Sequence, residues 1–137
     1  MSYKLVIVDD EKEISNGFAK YFPWGQLGYM VIGQFQNGKE VLHFLKNHET
    51  DVIVTDVLMP GMNGLEMAKE LSLLSPKKKP MLVFFSAYDE FKYAQQAMEY
   101  GASQYLLKSI SFDDLIDVFT TIKDKLDEEK AEFIKMG

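Results

Sequence analysis

The 137 residues suffice for one domain with its own core, and 47% hydrophobic with 26% charged residues is the balance of an ordinary globular chain. A net charge of −6, with all fifteen basic residues lysine, disfavours a grip on DNA or RNA and excludes bidentate guanidinium clamps on phosphate. The absence of cysteine excludes a disulfide framework and thiolate chemistry; no apolar run reaches signal-peptide or membrane-spanning length, so no membrane association and a cytoplasmic location are expected.

Tyr3 to Val8 reads as a buried strand, and Ile14, Phe18, Tyr21 and Phe22 then recur at helical spacing until Pro23-Trp24-Gly25 ends that helix. Tyr29 to Phe35 is a second strand, after which Asn37-Gly38 opens a helix with Val41, Leu42 and Leu45 inward and Glu40 placed for a capping box. Val52-Ile53-Val54 is a short β-branched strand that runs into Thr55-Asp56. The loop from Val57 to Gly64 leads to a helix with Leu65, Ala68 and Leu71 on one face. Met81 to Phe85 is the fourth strand; Phe91, Ala94 and Met98 mark the next helix, with Asp89 as its natural cap and Gly101 as its stop. Gln104 to Leu107 is the fifth strand, and Ser111 with Asp114 caps a final long helix. The eight methionines read as core filler. His43 and His48 fall in the second helical stretch, away from the strand ends, and receive no role.

Strands alternating with helices argue for a doubly wound parallel α/β sheet covered on both faces, with ligand chemistry beyond the carboxyl ends of the strands. Asp9-Asp10-Glu11 follows strand one, Asp56 strand three, Ser86-Ala87 closes strand four, and strand five runs into Lys108. Carboxylates crowded together disfavour joint ionisation, and a hard divalent cation such as Mg²⁺ relieves them. A carboxylate nucleophile, a metal, an ammonium and a hydroxyl are what phosphoryl transfer needs. Asp56, alone at the end of the central strand, is the expected acceptor. Asp10 is the better direct metal ligand, with Asp9 a ligand or a water-mediated orienter. Lys108 would bind one phosphoryl oxygen and the Ser86 hydroxyl another.

The segments Leu5-Val6-Ile7-Val8-Asp9-Asp10-Glu11, Val54 to Leu65, Phe85-Ser86-Ala87 and Tyr105-Leu106-Leu107-Lys108 resemble the receiver domains of two-component response regulators. The likeness runs from Tyr3 to about Leu126. It implies a flavodoxin-like (βα)5 fold with strand order 2-1-3-4-5, a sensor histidine kinase as phosphoryl donor, the Leu58 carbonyl as a further ligand to metal beside Asp9, Asp10 and Asp56, and Tyr105 as an aromatic that turns inward when Ser86 engages the phosphoryl group. Tyr21-Phe22-Pro23-Trp24 and Tyr88 to Ala94 are similar to a narrower subgroup that regulates transcription through a downstream AraC-type DNA-binding domain. Residues 1–126 would then be the receiver and 127–137 an extension toward that missing domain, through which any contact with DNA would come.

One departure stands out. Receivers usually carry proline after the lysine, joined by a cis bond; Ser109 is here, and cis geometry before a non-proline residue costs about 3 kcal/mol, so a trans bond is expected. The resemblance also implies that Leu58 and Tyr88 flank the site at positions that influence how easily water attacks the acyl phosphate; both are bulky and Leu58 cannot orient a water, which predicts slow dephosphorylation. Three rival readings meet obstacles in the same residues. A haloacid-dehalogenase-type phosphatase wants a second aspartate where Leu58 stands, and a flavin carrier wants a phosphate-friendly loop where Asp9-Asp10-Glu11 stands. A receiver-like module that is never phosphorylated is opposed by the intact Asp9, Asp10, Asp56, Ser86 and Lys108 set. For the last helix, Leu115, Phe119, Ile122, Leu126, Phe133 and Met136 keep heptad spacing, broken by Glu129. Two readings stand side by side: a sheet-covering helix with a frayed end, or an extended helix that links to an output domain or pairs with its copy on phosphorylation.

Overall fold

Side chains alternate between the two faces of each strand, so a strand with both faces covered must be apolar throughout, and four of the strands here nearly are. A computed structural model of the chain describes residues 2–75 and 79–136, and for Met136 the backbone alone. Its one sheet holds β1 (Tyr3–Val8), β2 (Tyr29–Phe35), β3 (Val52–Thr55), β4 (Met81–Ser86) and β5 (Gln104–Leu107), all parallel, in the order β2-β1-β3-β4-β5. Val6, Val8, Ile53, Leu82 and Phe84 point to one side, where α3 (Gly38–Phe44), α4 (Gly64–Leu71) and α5 (Phe91–Glu99) bring Val41, Met67, Ala68 and Ala97. Leu5, Ile7, Val52, Val54 and Val83 point to the other, against Phe22, Trp24, Phe119 and Ile122 from α1 (Lys12–Tyr21), α2 (Trp24–Leu27) and α6 (Phe112–Met136) and the turn between α1 and α2. The second layer is aromatic: the Trp24 ring lies 4.6 Å from Phe22 and 4.8 Å from Phe119, both edge-on.

The strand ends are level where chemistry was expected. Val8 pairs with Thr55 and Ser86 with Leu107, so Asp9 and Asp56 leave adjacent strands together and Lys108 follows one residue past β5. Asn63 caps α4 in a full capping box with Glu66, and a Cβ on Gly64 would lie 2.1 Å from the Asp56 carbonyl oxygen, so only glycine lets α4 start this close to β3. Gly101 ends α5 with a φ of 89°.

Several expectations need correction. Pro23-Trp24-Gly25 ends α1 but also starts the short α2. In α1, Ile14 (41% exposed) and Tyr21 (76%) face solvent, while Ser15 is the buried residue; in α5, Phe91 (79%) and Met98 (53%) face out and Ala97 is buried. Periodicity of the large residues points them inward, but where a helix lies close to the sheet the small residue fits the contact. Asp89 does not cap α5; Glu90 stands at that position without a side-chain bond. Glu40 reaches past the α3 cap, Asn37, to the N–H of Gln36 at 2.6 Å. Met30 (49% exposed) is not core filler, and His48 lies beyond the end of α3. Ser111 caps α6 as expected, through the N–H of Asp114. The Lys108–Ser109 bond is trans. α6 runs unbroken through Leu126 to Met136, whose side chain is outside the described residues.

Candidate functional site

Each acidic side chain is set by backbone that its own strand supplies. The N–H of Asp9 donates to the Phe35 carbonyl at 2.9 Å, and the N–H of Asp56 to the Val8 carbonyl at 2.9 Å, which extends both ladders one residue beyond β1 and β3. Asp56 Oδ1 accepts from the N–H of Val57 at 2.7 Å, and Asp9 Oδ1 from the N–H of Glu11 at 2.9 Å. Both carboxylates therefore keep Oδ2 for the cleft. Lys108 reaches between them, with Nζ 2.8 Å from Asp9 Oδ2 and 3.0 Å from Asp56 Oδ2. Asp9 and Asp56 are buried, whereas Asp10 is exposed and makes no hydrogen bond or ion pair among the described residues. Burial works against the Lys108 ammonium, but the two carboxylates it bonds outweigh that and hold its pKa above the usual lysine value.

Asp9, Asp10 and Asp56 each offer an oxygen within 4.8 Å of the others. One ammonium faces three carboxylates, and it touches only two of them. That surplus of negative oxygen suits a hard divalent cation with one or two direct carboxylate ligands.

Ser86 closes β4 fully buried, its hydroxyl accepting from the N–H of Tyr88 at 3.0 Å. The structure gives it no bond to Asp56 or Lys108 side chains, although the N–H of Lys108 donates to its carbonyl at 2.8 Å. Tyr105, on β5, stacks on Phe84 and donates its hydroxyl to the Tyr88 carbonyl at 2.6 Å; burial raises its pKa. Leu58 is 36% exposed and Tyr88 42%, both at the rim. Thus Asp9, Asp10, Asp56 and Lys108 are gathered, while Ser86 and Tyr105 are tied to each other's neighbourhood through the backbone of Tyr88. Sequence reading missed the Val57 N–H, the Tyr88 backbone and the close approach at Gly64. The first two are main-chain groups without a side-chain signature; the third had a visible signal, a glycine directly after a capping asparagine.

The sequence pattern of the response regulator receiver domain matches residues 5–120. The chain is 40% identical over 114 residues to the uncharacterized transcriptional regulatory protein YesN of Bacillus subtilis, an alignment that covers 83% of this chain and 30% of YesN. It is 28% identical over 130 residues to the transcriptional regulatory protein HptR of Staphylococcus aureus, over 95% of this chain and 50% of HptR. The chain spans half or less of these curated relatives. Among solved structures, the REC domain of AraT, a response regulator from Geobacillus stearothermophilus, superposes with a TM-score of 0.82 at 32% identity, over 95% of this chain and 99% of that one.

Proposed function

The chain belongs to the response regulator receiver domain family, and from that membership we propose that Asp56 accepts a phosphoryl group from a sensor histidine kinase in the cytoplasm. The observation that carries this reading is Lys108 Nζ held between the Oδ2 atoms of Asp9 and Asp56. Asp56 Oδ2 attacks the phosphorus of the kinase phosphohistidine; the new O–P bond replaces the P–N bond, and the released imidazole takes up a proton. The Val57 N–H keeps Oδ1 in place while Oδ2 reacts. Lys108 then follows the charge from Oδ2 onto a phosphoryl oxygen. Asp9, Asp10, Asp56 and the Leu58 carbonyl would hold Mg²⁺, which when bound neutralises charge on the transferred group. Ser86, now bonded to Tyr88, would turn to another phosphoryl oxygen, freeing the Tyr88 backbone and with it Tyr105.

The domain is a signalling switch rather than an enzyme with a substrate of its own. Its only chemistry would be its own phosphorylation and dephosphorylation. The output would be transcription control, a reading that the transcriptional regulators among the relatives support; it would run through a downstream AraC-type DNA-binding domain joined by residues 127–137. Phosphorylation would favour a homodimer. The test is intact mass after incubation with a small phosphoramidate and magnesium: the chain gains one phosphoryl group, and Asp56→Asn gains none. An equal adduct on the variant would remove Asp56 from the role.

A further inference from the structure

A second concave site lies away from the acidic pocket, where the end of β2 meets α3. The groove has a volume of about 570 Å³, within the roughly 300–1,000 Å³ of small-molecule sites. Its apolar wall is a ladder of three rings. Phe35 lies 5.0 Å from Phe44, tilted by 50°, and the His48 imidazole stacks on Phe44 at 4.1 Å and 2°. His48 Nδ1 is 3.1 Å from the Phe44 carbonyl, which fixes the imidazole plane against the phenyl ring. Gly33 makes room for the arrangement, since a Cβ there would stand 2.8 Å from the Phe35 ring.

The rim is polar, and Lys39 and Glu40 bring one charge of each sign to it. Lys39 lines it and has no ion pair or hydrogen bond among the described residues, and Asn47 offers a neutral amide. Glu40 also lines the groove, and its Oε1 is drawn back toward the helix start by the Gln36 N–H at 2.6 Å, so that it makes no ion pair with Lys39. An unpaired ammonium beside a face of stacked rings is complementary to one ligand chemistry: a flat aromatic body that carries a carboxylate.

We propose that the groove between β2 and α3 binds a small planar aromatic carboxylate, its ring against Phe35, Phe44 and His48 and its carboxylate at Lys39. The site is independent of the phosphoryl chemistry, but its wall is joined to that pocket through the main chain. The Phe35 carbonyl holds the Asp9 N–H at 2.9 Å, and the Gly38 N–H donates to the Met62 carbonyl in the loop after Asp56 at 2.9 Å. A ligand that shifts Phe35 or the start of α3 therefore moves the backbone of both acidic loops.

The probe is naphthoate at millimolar concentration, followed by amide proton–nitrogen correlation spectra of the metal-free chain, with naphthamide and cyclohexanecarboxylate as controls. Naphthoate moves the amides of Phe35, Gly38, Asn47 and His48 saturably and extends to Asp9, while both controls bind several-fold more weakly. Lys39→Gln, an exposed change that leaves the core alone, weakens naphthoate by about fivefold without touching naphthamide. His48→Ala weakens both aromatic probes. No saturable shift at these amides, shifts centred elsewhere, or equal binding of all three probes would overturn the proposal. Because no metal or phosphoryl donor is present, the outcome stands apart from that of the Asp56 experiment.

Discussion

Lys108 brings one positive charge to two buried carboxylates, and that arithmetic governs substitutions at the pocket. Lys108→Met leaves Asp9 and Asp56 facing each other unpaired, a loss on the order of 2 kcal/mol once the partial exposure of the lysine is discounted. Thermal melts with and without magnesium check this: the variant melts lower without the ion and gains more from it than the parent does. Equal gains would mean that Lys108 does not offset these carboxylates. At the rim, Leu58→Asn places a polar amide where an attacking water would pass, and the expected outcome is faster loss of the phosphoryl group by the timed intact-mass assay; an unchanged lifetime would leave Leu58 without that effect. At this scale the sequence was informative wherever a side chain carries the chemistry. Acids that end apolar strands and a lysine that ends another could be seen. The hydrogen bonds that aim them come from the N–H of Val57, the N–H of Glu11 and the carbonyl of Tyr88, and every residue type offers those groups.

Strands and helices were legible as elements because their apolar periods differ, and β1, β2 and β5 have the expected bounds. Helix faces were less so. Tyr93 in α5 and Tyr100 at its C-cap pack against the core cluster that holds Ala97, whereas the large residues Phe91 and Met98 point outward. At α6 a polar pin complements the apolar contact. Tyr3 Oη donates to Asp127 Oδ1 at 2.5 Å, and Lys123 Nζ lies 2.8 Å from Asp127 Oδ2. Burial first, then the bond to Asp127 and its charge, push Tyr3 up to about 12. A value raised on folding stabilises fully below the unfolded pKa of about 10, and that contribution is lost as the pH climbs toward the folded one. Asp127→Ala brings the Tyr3 titration down toward 10 but not to it, because burial, the larger cause, remains. Tyrosinate absorbance across alkaline pH reads the change, and superimposable curves would show that the bond does not hold in solution.

For the whole molecule, alternation of elements was enough to argue a parallel sheet with two covered faces, whereas the order β2-β1-β3-β4-β5 came only with the family resemblance. Local periodicity says which segments are strands; it contains nothing about which strand lies beside which. The last helix shows the same divide. Leu115, Phe119 and Ile122 are buried against the sheet, whereas Phe133 (59%) and Ile134 (67%) are exposed. Sedimentation of the chain with magnesium and beryllofluoride is expected to show a dimer that Phe133→Asp with Ile134→Asp returns to monomer; a parent that stays monomeric with these additions would exclude pairing through this helix.

The pin at Tyr3 and Asp127 also fixes a fulcrum. Beyond it the helix continues from Glu128 to Met136, nine residues and about 13 Å at the usual rise. A rod anchored at its base magnifies angle into distance, so a tilt of about 10° at the sheet carries the far tip by roughly 2 Å. Whatever is joined to that tip would be carried through that distance by each such tilt of the helix about its pin.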